Sequence, residues 1–169
     1  QLELALGDYS TPWNPPDPVI AGRQNIVPVP DDYFMPGRFA GKTALVTGSA
    51  SGIGKRIAEV FADAGANIVI ADLKLQEAQA TAAAIALRGV KTLAMAMDVT
   101  DEAAVDAGFA QVQNALGAVD ILVSNAGIQI VAPIEDFQFA DWKKLIAVHL
   151  DGGFLTSRAA VRQMIASGR

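Results

Sequence analysis

From Gly41 onward, short apolar runs alternate with stretches of helical period. The runs are Thr43–Thr47, Asn67–Ala71, Thr92–Met97 and Asp120–Ser124. They carry few polar positions, which predicts strands buried on both faces rather than the alternation of a half-solvated sheet. The intervening stretches, Ile53–Ala64, Lys74–Leu87 and Asp101–Leu116, predict helices. In the first, Ile57, Val60, Phe61 and Ala64 recur at helical spacing and define an expected apolar face. The second is rich in alanine and exits at Arg88-Gly89. The third is expected to start from Thr100 as N-cap, with Asp101 and Glu102 in its first turn. A last stretch, Asp141 to about Ala166, reads as one long helix. Its expected apolar side is Leu145, Val148, Leu150, Phe154 and Leu155, and Gly152-Gly153 permits close packing or a bend. Strand–helix alternation with short connections predicts βαβ units and a parallel sheet.

Residues 1–40 break this pattern. Seven of the eight prolines fall there, at Pro12, Pro15, Pro16, Pro18, Pro28, Pro30 and Pro36. Proline fixes φ and removes a donor, so an extended, irregular N-terminal extension is expected, with Trp13, Tyr33 and Phe34 available to pin it to a surface. The domain itself is expected over 41–169. The first residue is Gln1 and the last are Ser167-Gly168-Arg169, and both ends read as those of part of a longer polypeptide.

Composition narrows the function classes. The chain has 169 residues, 51% hydrophobic and 18% charged, as a globular domain with a core requires. A net charge of -5 offers no basic footprint for nucleic acid. There is no cysteine and one histidine, so no metal site is expected. No apolar run spans a bilayer and no signal peptide is recognisable, so no membrane partner is expected and a cytoplasmic location is the default.

The candidate chemistry sits at the ends of the apolar runs. Thr47-Gly48-Ser49-Ala50-Ser51-Gly52-Ile53-Gly54 lies between the first strand and the first helix. Strand, glycine-rich turn and helix together make a pyrophosphate site: glycines allow a tight turn and close approach, and the helix N-terminus supplies N–H donors and positive dipole. Gly48, Ser51, Gly52, Ile53 and Gly54 are the candidate residues. Asp72 ends the second run, eighteen residues after Gly54, where a carboxylate grips the adenosine ribose hydroxyls and repels a 2′-phosphate. No basic residue stands at Ser49, Ala50 or Ser51, and Lys74 is the nearby cation after the strand. NAD is therefore expected rather than NADP. The competing assignment for Asp72 is a helix cap. Asp98-Val99 and Asn125-Ala126-Gly127 follow the third and fourth runs on the same expected edge, where open α/β sheets bind ligands. Taken singly, Asp98 fits a cap or turn and Asn125 an Asx-turn.

Together, TGSASGIG at Thr47–Gly54, Asp72, Asp98-Val99 and Asn125-Ala126-Gly127 resemble the short-chain dehydrogenase/reductases over residues 41–169. The resemblance implies a Rossmann-type α/β fold: a parallel sheet with helices on both faces, here cut off after the fourth strand and the long helix, in strand order 3-2-1-4. It also implies adenine contacts from Asp98 and Val99. Asn125, Ala126 and Gly127 would flank the adenosine side of the cofactor and stabilise the central strand.

A narrower likeness runs from Gly127-Ile128-Gln129 through Asp141-Trp142-Lys143-Lys144 to Ile146-Ala147-Val148-His149 and on to Thr156. It resembles the NAD-dependent D-3-hydroxybutyrate dehydrogenases. It implies that Gln129 binds a substrate carboxylate and that His149 stands where most of the family has a catalytic-tetrad asparagine. The bland alternatives are an exposed loop residue for Gln129 and a structural histidine in a buried helix for His149.

The family chemistry also requires a serine and a tyrosine four residues before a lysine. The chain has only Tyr9 and Tyr33, and no lysine follows Lys144. The expectation is therefore a parent enzyme oxidising a small hydroxy acid with NAD, D-3-hydroxybutyrate first, and homo-oligomeric, with this chain alone inactive. The alternatives are another alcohol or sugar dehydrogenase of the family, or a non-catalytic nucleotide-binding or interaction module.

Overall fold

The computed structural model describes residues 37–168. The proline-rich stretch, with Trp13, Tyr33 and Phe34, lies outside the described residues. The described part opens on a turn, Gly37–Gly41, whose Phe39 ring packs against Phe61 with centroids 5.3 Å apart. The Phe39 amide donates to Ala64 O at 2.8 Å. The expected start of the domain at residue 41 thus falls at the end of a turn that already packs on the first helix.

Four parallel strands form one sheet in the order β3-β2-β1-β4. They are β1 Thr43–Thr47, β2 Asn67–Asp72, β3 Thr92–Ala96 and β4 Ile121–Val123. Helices α1 (Gly52–Asp63), α2 (Leu75–Ala86), α3 (Glu102–Leu116), α4 (Phe139–Ile146) and α5 (Gly152–Ala166) connect and cover them. In register, Thr43 pairs with Asn67 through to Thr47 with Ala71, and Ala44–Val46 pair with Ile121–Val123.

The two central strands are buried on both sides, as their apolar composition requires. Successive residues face opposite layers. Leu45, Val69 and Ala71 join Val105, Phe109, Val112, Ala159 and Ala160 on the α3/α5 side. Ala44, Val46, Ile68 and Ile70 join Ala58, Ala62, Ala78, Ala82 and Ile85 on the α1/α2 side. β3 and β4, at the edges, are buried less.

Several expectations need correction. The packed face of α1 is Gly54, Ala58 and Ala62, with Ile57 and Phe61 at its margin. Val60 is exposed and Ala64 is the C-cap residue. Small side chains bring α1 close to the sheet, and of the large apolar residues expected inside, Ile57 and Phe61 pack against this core while Val60 does not. The N-cap of α3 is Asp101, not Thr100: Asp101 Oδ1 accepts from the Ala103 and Ala104 amides at 2.9 and 3.2 Å. Thr100 instead donates its hydroxyl to Asp98 Oδ1 at 2.7 Å.

The last helix is interrupted. A π-helical turn, Ala147–Asp151, joins α4 to α5 and carries His149. Such turns relieve a local misfit in the hydrogen-bond ladder and often occur at functional sites. Val148 and Leu155 pack on the core, whereas Leu150 and Phe154 point outward, each 62% exposed. The Arg158 guanidinium sits 5.3 Å above the Phe154 ring. Close packing rather than a bend explains Gly152, where a Cβ would lie 2.7 Å from Val99 Cγ2.

Candidate functional site

The carboxyl ends of all four strands converge on one cleft of about 280 Å³. Its walls include Gly48 and Ser51 after β1, Asp72 and Leu73 at the end of β2, Asp98 and Val99 after β3, and Asn125–Ile128 after β4. Val148, in the π-helical turn, closes one side. Parallel strands set this arrangement, because each right-running strand delivers its loop to the same edge.

The three glycines after β1 do different work. Gly48 has φ +61°, and a Cβ there would lie 2.9 Å from Ala126 Cα, so both its conformation and its neighbour exclude a side chain. Gly52 has φ +58° with nothing within 4 Å of a Cβ, which leaves open space at the start of α1. Gly54 is the packing residue: its Cβ would fall 2.4 Å from Gly48 O and 2.5 Å from Asn125 Nδ2.

Helix α1 begins without a side-chain cap. Ser51 is the N-cap residue, yet its hydroxyl makes no capping bond, and no acidic residue occupies the first turn. The intrahelical ladder starts at Lys55 N, which donates to Ser51 O at 3.1 Å. The amides of Gly52, Ile53 and Gly54 precede it, and their positive dipole end is uncompensated. An anion with several acceptor oxygens fits this terminus. Ile53 is 76% exposed, and neither Gly52, Ile53 nor Gly54 lines the cleft proper, which Ser51 and Gly48 bound.

Asp72 is held from two sides. Oδ2 accepts from the Ala50 amide at 3.0 Å and Oδ1 from the Lys74 amide at 3.1 Å. It does not cap α2, whose N-cap residue is Lys74. Each oxygen keeps further acceptor capacity toward the cleft. Asp98 is a turn residue: Oδ1 takes both the amide and the hydroxyl of Thr100, at 2.9 and 2.7 Å. Asn125 makes tertiary bonds rather than an Asx-turn. Its Nδ2 donates to Thr47 O and Gly48 O at 2.9 and 3.0 Å, tying β4 to the glycine turn. Thr47 returns the tie, its Oγ1 accepting from the amides of Asn125 and Ala126, both at 3.0 Å.

His149 is exposed rather than part of a buried helix. Its Nε2 lies 2.8 Å from Ile128 O and 3.2 Å from Ile128 N. Protonated, that nitrogen donates to the carbonyl; unprotonated, it accepts from the amide. The ring lies against Gly127, where a Cβ would be 2.7 Å from His149 Cε1. His149 thus ties the π-helical turn to the loop after β4. Gln129 is exposed on that loop, one residue beyond the cleft lining.

Sequence reasoning missed Leu73, Met97, Ile128 and Val148 as lining residues. Leu73 and Ile128 were available as direct neighbours of Asp72 and Gly127. Met97 and Val148 carry no polar signal. Among the described residues no group of three or more His, Asp or Glu side chains could hold a metal, and no helix is long and apolar enough to cross a membrane.

The family described as short chain dehydrogenase matches residues 42–169. The chain belongs to the short-chain dehydrogenase family. Among curated relatives, a sorbitol dehydrogenase of Cereibacter sphaeroides is 43% identical over 132 residues, covering 78% of this chain and 50% of that protein. A D-threitol dehydrogenase of Mycolicibacterium smegmatis is 40% identical over 131 residues, with coverage of 78% and 50%. Among solved structures, a short-chain type dehydrogenase/reductase from Mycobacterium marinum superposes with a TM-score of 0.75 at 37% identity, covering 77% of this chain and 53% of that one. An NAD+-bound xylitol dehydrogenase gives a TM-score of 0.75 at 32% identity, with coverage of 77% and 50%. The chain spans about half the length of the curated relatives it matches. The short-chain dehydrogenase fold accounts for the parallel sheet and for the glycine turn at its edge.

Proposed function

We propose that the full-length protein is an NAD-dependent dehydrogenase that oxidises a secondary alcohol of a small polyhydroxylated substrate. The observation that carries the cofactor reading is Asp72. Its carboxylate stands in the cleft wall at the end of β2, oriented by two backbone amides, and repels a 2′-phosphate while accepting from ribose hydroxyls. The cofactor's residues are the amides of the Ser51–Gly54 turn for the pyrophosphate, Asp72 for the ribose, and Asp98 and Val99 for the adenine. Asn125, Ala126 and Gly127 wall the adenosine side. When bound, the nicotinamide supplies the hydride acceptor; the protein's part is to orient it and the alcohol and to exclude water.

The substrate reading follows the polyol dehydrogenases among the relatives and the xylitol dehydrogenase among the structures. The narrower expectation of D-3-hydroxybutyrate rests on Gln129, an amide donor for a carboxylate one residue beyond the cleft wall, and stands as the second reading. The dehydrogenase chemistry calls for a tyrosine–lysine pair that residues 42–169 do not contain. His149 serves on this reading by holding Ile128 and with it the loop that bears Gln129. We further assign the full-length protein as a homo-oligomer.

The test is steady-state oxidation by the purified full-length protein of sorbitol, xylitol, threitol and D-3-hydroxybutyrate, each with NAD and with NADP. Polyol turnover with NAD is expected. Turnover of D-3-hydroxybutyrate alone would replace the polyol reading with the second one, and a preference for NADP would overturn the role of Asp72.

A further inference from the structure

We infer that Thr81, on α2 and outside the cleft, is a positioning residue that sets the phosphate-binding turn for the dinucleotide. The inference rests on the dinucleotide reading above. Thr81 sits in the alanine-rich interior of α2, flanked by Ala80, Ala82, Ala83 and Ala84. A β-branched residue there is a poorer helix former than its neighbours. A helical threonine ordinarily returns its hydroxyl to its own helix, as Thr156 does, donating to Gly152 O at 2.7 Å. Thr81 does not. Its hydroxyl is buried and donates at 2.7 Å to Ala50 O, in the glycine turn 31 residues earlier.

The peptide groups of Ala50 are therefore held from both sides. Its amide donates to Asp72 Oδ2 and its carbonyl accepts from Thr81. In a planar trans peptide the C=O and the following N–H point in opposite directions. Holding Ala50 O toward α2 therefore turns Ser51 N–H away from α2, and Ser51 lines the cleft. The same bond keeps the carbonyl dipole off the position an anion takes at the start of α1. Without the hydroxyl, Ala50 O loses its buried donor, and a rotated peptide would present an acceptor where the pyrophosphate needs a donor. Thr81 is thus tuned to the phosphates, whereas Asp72, which shares Ala50, faces the ribose.

The experiment is binding of ADP-ribose and of adenosine to the full-length protein and its variants. Thr81→Val keeps the shape and removes the donor. It is expected to weaken ADP-ribose binding about tenfold and to leave adenosine binding within about twofold. Thr81→Ser, which keeps the hydroxyl, restores ADP-ribose affinity. Where Thr81→Val does not fold, Thr81→Ala, which matches its neighbours in helix propensity, gives the same readout. Wild-type ADP-ribose affinity in the folded Val or Ala variant overturns the inference, as does an equal loss of both ligands. Failure of the wild-type protein to bind ADP-ribose overturns the dinucleotide reading itself.

Discussion

At the scale of single residues, the same chemistry takes different roles according to its partners. Three aspartates illustrate this: Asp72 orients in the cleft wall, Asp98 closes a turn, and Asp101 caps a helix. Each was visible as a carboxylate at a strand or helix end, but the identity of its donors was not. Asp72 and Asp98 both line the cleft, and Asp72 is the one on which the proposed choice of NAD rests. On the proposed NAD reading, Asp72→Ala would remove both the ribose acceptor and the charge that rejects a 2′-phosphate. Titration of the full-length variant with NAD and NADP is expected to show NAD affinity down about tenfold, the loss of one charged hydrogen-bonding group, with NADP discrimination largely gone. Unchanged selectivity would assign Asp72 to holding the Ala50 and Lys74 amides alone.

At the scale of elements, the period of the apolar runs located the four strands and the first three helices and read α4 and α5 as one, because burial on a sheet or along a helix face repeats with backbone geometry. It misjudged which residues face inward on α1, and which residue starts α3. Both errors come from the same cause: a cap and a close-packed alanine face are set by geometry that hydrophobicity does not report. The α3 cap provides a direct check. Asp101→Ala is expected to lower stability by about 1 kcal/mol, whereas Thr100→Ala, which leaves the cap intact, costs less. Equal effects in denaturant unfolding of the two full-length variants would restore Thr100 as the cap. The π-helical turn at Ala147–Asp151 had no signal in the apolar pattern, which continues through it.

At the scale of the whole molecule, the cleft is assembled from four loops that share nothing in sequence except their place after a strand. Parallel pairing in the order β3-β2-β1-β4 delivers them to one edge. What the described residues do not contain is a tyrosine, since Tyr9 and Tyr33 both precede the glycine turn. The chain of residues 1–169 is therefore expected to show no NAD-dependent turnover of any alcohol above the buffer blank. Measured turnover by that chain would require a different proton acceptor, and His149, 2.8 Å from Ile128 O, would be the first to substitute.

The amino-acid sequence by itself determined the strands, the first three helices, the glycine turn and the family, because each is written in local period or in a contiguous motif. It also placed Asp72, Asp98 and Asn125 at strand ends, and so at one edge once the strands are parallel. Only the tertiary structure decided what those residues hold. Ala50 meets Asp72 across 22 residues and Thr81 across 31, and Asn125 reaches Thr47 across 78. Such pairings depend on where folded elements bring backbone donors and acceptors together. Thr81 stands in a run of alanines with nothing in the sequence to name its partner; the fold alone buries its hydroxyl and gives it Ala50 O of the glycine turn.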